Sequence, residues 1–387
     1  SISDAHIQKI NYKNNELVGN IALNFDITDY LSFETRYGVQ YAGRNYTNLE
    51  SPFYGSSATA GGSLYRQLRD DFTQNFLQML RFDKSFGDHN VEVLAAHESN
   101  EWRRTYNDAN KRKSVHPFID DFNNFIIAVG QPTGYTEGTG LESYFSQVNY
   151  NFSERYFLTG SVRRDGSSRF VNNKWGTFGS VGASWIVTRE AFMPQTNILN
   201  YLKVKASYGV TGEQAGVGLY PGYNTFDLGN LNDEISITPR DNGNPDLTWE
   251  TSKMLQAGVE FELLGGRIEG LVDYYKKTTD NLLFDRRVGP SQGIAIITVN
   301  DGILVNKGIE FDLTGHILDK GGFKLDLGVN GAYNDNVIEK MPIEPSTGLP
   351  KRIDTSTGYG MAKGHSIFDW YMREWAGVDP ADGIGMW

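Results

Sequence analysis

The sequence predicts an all-β protein, an antiparallel up-and-down transmembrane β-barrel. Three observations predict it: a two-residue alternation of apolar and polar side chains, strands of about ten residues, and connections that are short at one end and long at the other. Successive side chains of a strand point to opposite faces, so a strict alternation makes one apolar and one polar wall. Strands of ~9–11 residues match the reach needed to cross a bilayer at a tilt. Tight turns at one end with long loops at the other are the outer-membrane barrel arrangement.

The first clear strand is Leu31–Tyr41, where Leu31, Phe33, Thr35, Tyr37, Val39 and Tyr41 oppose Ser32, Glu34, Arg36, Gly38 and Gln40. Leu202, Val204, Ala206, Tyr208 and Val210 oppose Lys203, Lys205, Ser207 and Gly209. Leu255, Ala257, Val259, Phe261 and Leu263 oppose Gln256, Gly258, Glu260 and Glu262. Ile309, Phe311 and Leu313 oppose Glu310, Asp312 and Thr314, and Phe323, Leu325, Leu327 and Val329 oppose Lys324, Asp326, Gly328 and Asn330. Short turns are expected between Phe25 and Leu31, between Phe86 and Val91, and at Asn151–Tyr156, Leu264–Arg267 and Lys320–Phe323. Their Gly-Gly and Asp/Asn clusters are hairpin chemistry. Long connections are expected at 43–70, 102–140, 165–174, 211–251, 278–304 and 334–367, with a medium one holding a helical turn at 187–201. This pattern yields about twelve strands, and a thirteenth is expected near Phe368–Trp375.

Composition agrees. There are 43 glycines in 387 residues and an aromatic content of 13%, the former above the usual ~7%. Only half of each strand faces lipid, which reconciles a membrane protein with a mean hydropathy of -0.44. No apolar run approaches the ~18 residues of a spanning helix. The net charge of -11 argues against a general nucleic-acid binder, which needs a basic stripe. Zero cysteines removes disulfides, Fe–S clusters and thiol catalysis. A soluble β-sandwich also alternates, but its strands run nearer 5–6 residues. Tyr30, Tyr41, Trp102, Tyr150, Tyr156, Trp175, Trp185, Tyr201, Tyr274, Tyr275 and Tyr333 sit near strand ends and fit an interfacial girdle.

From Tyr156 onward the residues resemble a known family. YFLTGSVRRDGSSRF, then WGTFGSVGASWIVTREAF and LKVKASYGVTGEQ, resemble the barrel of SusC/RagA-type TonB-dependent transporters. NPDLTWETSKMLQAGVEFELLGGRIEGLVDYYKKTTDNLLF, GILVNKGIEFDL and GHSIFDWYMREWAGVDPADG extend the resemblance to Gly383, while 1–149 agrees only in general barrel character. The resemblance implies an outer-membrane importer of a Bacteroidota-type bacterium. It implies uptake of oligosaccharides or oligopeptides, energy drawn through TonB, and a SusD-like surface lipoprotein as partner. It also implies a 22-stranded barrel around a plug. Residues 1–387 are therefore expected to be the barrel portion of such a transporter, a piece without the plug, the TonB-contacting segment or the remaining strands.

Chemistry is sparse. His6, His89, His97, His116, His316 and His365 form no close metal-ligand pair and read as solvated or interfacial. Gly289–Gly293 (GPSQG) formally matches G-x-S-x-G, but Ser291 has Pro290 beside it and no helix pattern after it. An outer-membrane barrel hydrolase is thus the weaker reading, as are a soluble carbohydrate-binding domain and, within transport, a siderophore or cobalamin receptor. Asp241–Asp246 and Asn334–Asn336 lack EF-hand spacing and read as turn formers, so no cofactor is expected beyond a structural calcium as a minor candidate.

Loop aromatics are the expected substrate contacts: Tyr54, Tyr220, Tyr223, Trp249, Tyr359 and Trp370, with Tyr65 and Tyr135 beside them. Sugar rings stack on aromatic faces, and this places glycan slightly ahead of peptide. Packing of the loops is the competing reading for each. Arg163, Arg164, Asp165 and Arg169 flank an outer strand end, where they either line the lumen or pair with one another.

Overall fold

The computed structural model describes residues 8–194, 196–287, 296–344, 347–356 and 358–387. In chain order the strands are β1 (Lys9–Thr28), β2 (Leu31–Glu50), β3 (Ser63–Phe86), β4 (His89–Ser114), β5 (Phe125–Ala128), β6 (Thr133–Phe152), β7 (Tyr156–Ser167), β8 (Trp175–Ile186) and β9 (Leu199–Glu213). They continue with β10 (Thr225–Leu231), β11 (Glu234–Asp241), β12 (Glu250–Leu263), β13 (Ile268–Asp280), β14 (Leu283–Arg287), β15 (Ile296–Asn300), β16 (Ile303–Lys320) and β17 (Phe323–Lys340). Twelve of these are hydrogen-bonded in the order β1-β2-β3-β4-β6-β7-β8-β9-β12-β13-β16-β17, with β5 attached to β4 as the thirteenth member.

The chain divides into two compact units, one holding the chain through Leu80 and Ala96–Tyr144, the other Arg81–Ala95 and Phe145–Trp387. In the first, β1 and β2 pair so that Phe25 faces Phe33, Ile21 faces Tyr37 and Leu17 faces Tyr41. One wall is thus apolar, while Asn24 opposite Glu34 and Ala22 opposite Arg36 alternate onto the other. In the second, rows of apolar partners cross four strands: Leu202, Phe261, Gly270 and Leu313 form one, and Ala206, Ala257, Tyr274 and Ile309 another. Phe323, Leu325, Leu327 and Val329 stand exposed on this wall.

Most buried apolar residues lie at the long-connection ends, with Ile186 an exception at the other end of β8. Leu49, Leu64 and Phe125 form such a cluster in the first unit, and Phe170, Phe178, Leu247, Trp249, Val305, Ile338 and Met341 are buried in the second. The strands themselves present dozens of exposed large apolar side chains. A two-layer sandwich would bury that wall; a lipid-facing sheet leaves it for acyl chains.

The five short turns fall where expected, at residues 29–30, 87–88, 153–155, 264–267 and 321–322. Gly321 and Gly322 both hold positive φ, 65° and 81°, the backbone that a tight hairpin demands and that glycine adopts without penalty. Val187–Arg189 is a 3-10 turn, as the medium connection predicts.

Three expectations are corrected. The long strands run from 12 to 26 residues, because β2, β3, β4 and β6 continue well beyond a bilayer's thickness on the loop side. The expected loops 43–70 and 102–140 shrink accordingly to 51–62 and 115–132, the latter holding β5. The long connections are also structured: 211–251 contains the β10–β11 hairpin and 278–304 the β14–β15 hairpin. The expected thirteenth strand near Phe368–Trp375 is not one. It contributes an isolated bridge from Trp370 to Tyr359, since its apolar residues (Phe368, Trp370, Tyr371, Met372) do not alternate cleanly.

The apolar wall predicts a specific sensitivity. Val181, exposed and near the middle of β8's crossing, changed to Arg should destabilise the refolded full-length protein in lipid by about 2–4 kcal/mol. On the polar wall, Ser180→Ala loses the 2.7 Å hydroxyl contact to Ser161 and should cost about 1 kcal/mol. Denaturant titration in vesicles reads both.

Candidate functional site

The polar wall carries the candidate sites, and each is built by strand register. In the second unit a recess of about 740 Å³ opens near the short turns, lined among others by Glu92, Asn149, Asn151, Ser184, Lys205 and Gln256. Its charge is organised across three strands. Lys205 lies 3.0 Å from Glu260 and 3.3 Å from Asp273, and Lys203 lies 3.3 Å from Glu260. Gly258 makes this possible, because a Cβ there would collide with the Asp273 carboxylate. These residues escaped the sequence reading; opposite charges on the polar faces of β9, β12 and β13 were the available signal, but only the pairing brings them together.

At the loop end of the same unit, Phe170, Phe178 and Trp249 form an aromatic cluster, with centroids 5.2 and 5.5 Å from Trp249 and its Nε1–H donating to the Lys174 carbonyl at 3.2 Å. Trp249 is 4% exposed. It is packing, not a surface for a ligand, which corrects its expected role. Tyr220 and Tyr223 are exposed. Trp370 stacks on Tyr359 at 4.7 Å and 22°, and Trp370 remains 67% exposed.

Of the charged group, Arg163 pairs with Asp165 at 2.6 Å and lies 4.8 Å from the centroid of Phe145. Arg169 donates to the carbonyls of Gln214 and Val217 at 3.2 and 2.9 Å. Internal pairing is therefore the arrangement these residues adopt, and Arg169 ties down a loop. Arg164 lies 5.5 Å from the Trp175 ring.

In the first unit, Tyr54 is exposed in the 51–62 connection, whereas Tyr65 and Tyr135 belong to strands. Below them Asp71 accepts from Arg69 and Arg104 at 2.6 and 2.7 Å, and Arg104 reaches Glu137 at 3.4 Å. Above this network Asp108 accepts hydroxyls from Tyr65, Tyr106 and Thr133. Burial works against its charge, but the three hydroxyls outweigh it and hold the carboxyl below its usual range.

Among the described residues no group of three or more His, Asp or Glu is placed to hold a metal. His316 lies 2.7 Å from Asp326 and 3.4 Å from Glu269, and His89 lies 2.7 Å from the Tyr150 hydroxyl. His365 lies 3.1 Å from Asp369. The Asp/Asn clusters make turns and cross-links: Asn244 accepts the Asp246 amide at 3.1 Å, and Asn336 donates to Asn306 at 2.6 Å. The GPSQG segment with Ser291, and His6, lie outside the described residues.

Residues 3–363 match the family model described as TonB dependent receptor-like, beta-barrel. A TonB-dependent receptor of Formosa agariphila is 30% identical over 92% of this chain and 36% of its own length. The TonB-dependent receptor SusC of Bacteroides thetaiotaomicron is 29% identical over 84% of this chain and 33% of its own. The solved structure of the RagAB peptide transporter superposes with a TM-score of 0.85 at 24% identity, over 97% of this chain and 41% of that one; at that identity the likeness concerns the fold. The chain spans about a third of the length of these relatives.

Two outcomes follow from the geometry. Trp249→Ala should lower stability by about 3–5 kcal/mol in denaturant titration, while Tyr220→Ala, at an exposed position, should stay within about 0.5 kcal/mol. Asp108 lies 19 residues along β4 from its short-turn end, beyond the bilayer. Because its folded-state pKa is depressed, its stabilisation is present above the unfolded value and lost as pH falls through the folded one. The gap in melting temperature between wild type and Asp108→Asn should be widest above about pH 5 and should shrink progressively as pH falls below about 4.

Proposed function

The chain belongs to the TonB-dependent receptor-like β-barrel family, the wall of an outer-membrane β-barrel, and on that premise we propose that it forms part of a SusC/RagA-type importer of oligosaccharides or oligopeptides. The observation that carries the proposal is the similarity to SusC along 84% of the chain, on a sheet with one apolar and one polar wall. The importer takes energy through TonB and works with a SusD-like surface lipoprotein. Its mechanism is to bind, seal and open, not to make or break covalent bonds.

The geometry supports particular parts of this reading. The apolar wall meets lipid and the polar wall lines the lumen. The recess around Lys205 and Glu92 lies near the short turns, the end at which a plug held in the barrel would bear. There Lys205, Glu260 and Asp273 keep their charges paired across three strands. At the other end Tyr54, Tyr220, Tyr223, Tyr359 and Trp370 are exposed and offer aromatic surface to an incoming solute. The pairing of Arg163 with Asp165 at 2.6 Å supports a part for those two residues in the wall's structure.

Deletion of the gene tests the reading. The mutant should lose growth on a glycan or a peptide mixture as sole nutrient and keep growth on iron chelates. Loss confined to iron chelates would overturn it in favour of a siderophore receptor.

A further inference from the structure

Five tyrosines stand side by side on the polar wall of the first unit, one from each of five successive strands. Tyr12 of β1 is directly opposite Tyr46 of β2, with ring centroids 4.6 Å apart. Tyr46 meets Tyr65 of β3 at 5.8 Å. The hydroxyl of Tyr65 lies 3.1 Å from that of Tyr106 on β4, and Tyr106 stacks on Tyr135 of β6 at 4.9 Å. Strand parity places them on the lumen side: Tyr65 alternates with Asp71, Tyr106 with Arg104, and Tyr135 with Glu137, three residues already joined by ion pairs across that wall.

We propose that this tyrosine row is a binding track for a neutral oligosaccharide at the outer mouth of the barrel. The proposal rests on the importer reading and narrows its substrate class. The row lies on the stretches of strand that continue past the bilayer, where an incoming solute first meets the wall. At its far end the row is open, with Tyr135 49% exposed. Interplanar angles of 32° and 64° along its first half mean that the rings do not hide all their faces in one another. Pyranose rings present C–H faces to such aromatics, and phenol hydroxyls both donate and accept, as sugar hydroxyls do.

The surrounding charges favour a neutral ligand. Asp108 is occupied by three hydroxyls, Glu50 by Ser57, Ser63 and Asn48, and Asp71 by two arginines. An oligopeptide's charged termini would find these partners taken. Where the rings touch, their centroids lie 4.6 to 5.8 Å apart, comparable to the advance of one sugar along an extended chain.

The test uses the full-length transporter in detergent, titrated calorimetrically with maltohexaose, xylohexaose and mannohexaose in turn, and with an uncharged hexapeptide. At least one hexasaccharide should bind, and Tyr46→Ala and Tyr135→Ala should each raise its Kd at least tenfold. Tyr135→Trp should restore binding, and heat-modifiable migration on gels should confirm folding of each variant. The proposal is overturned if no hexasaccharide binds, or if one binds equally to wild type and folded alanine variants. Uptake separates the two levels: a strain that imports peptides but binds no hexasaccharide sinks the track alone, whereas a deletion that impairs uptake of neither class sinks the importer reading itself.

Discussion

A bilayer offers no water to an unpaired amide, and everything else in this protein follows from that. Each N–H and C=O at membrane depth must find a partner within the sheet. The chain answers with twelve long strands in sequential antiparallel pairing. Every strand but β1 and β17 has a neighbour on both sides. Those two carry lipid-compatible faces, with Leu17, Ile21 and Phe25 on one and Leu325, Leu327 and Val329 on the other.

With the backbone committed to pairing, side chains do the rest by parity. The same register that aligns Phe25 with Phe33 delivers Asn24 and Glu34 to the opposite wall. Charge on that wall is gathered into networks spanning three strands, such as Arg104 with Asp71 and Glu137, or Lys205 with Glu260 and Asp273. In these networks opposite charges meet across neighbouring strands and offset one another. Where the strands outrun the membrane, Trp249, Phe170 and Phe178 knit the loops together.

The parts of the fold legible in the sequence were those where lipid imposes the pattern. Leu31–Tyr41 and Phe323–Val329 alternate because one face must be greasy, and the turn glycines at 321 and 322 announce themselves. Past the bilayer that pressure ends. Ala42–Glu50 (AGRNYTNLE) is polar on both faces and reads as loop, although it is strand paired to Lys9–Glu16. The Phe368–Trp375 aromatics mimic a strand without alternating. Site residues were harder still. Trp249 looked like a ligand contact because sequence cannot tell a packed indole from a presented one. Lys205 showed only as a polar-face charge, since its partners sit 55 and 68 positions away. Tyr65 and Tyr135 were visible as aromatics, but their alignment with Tyr12, Tyr46 and Tyr106 exists only once five strands are in register.

The contrast between two-residue turns such as 321–322 and connections such as 211–251 has an evolutionary side. Lengthening a surface connection costs only slowly more closure entropy, about 0.6 kcal/mol per doubling. A duplication or insertion there leaves the membrane ladder untouched, while the same change in a tight reversal would shift register and invert both walls. Novelty thus has one permitted address: the cell's exterior can be resampled freely, with the span beneath held as a fixed chassis.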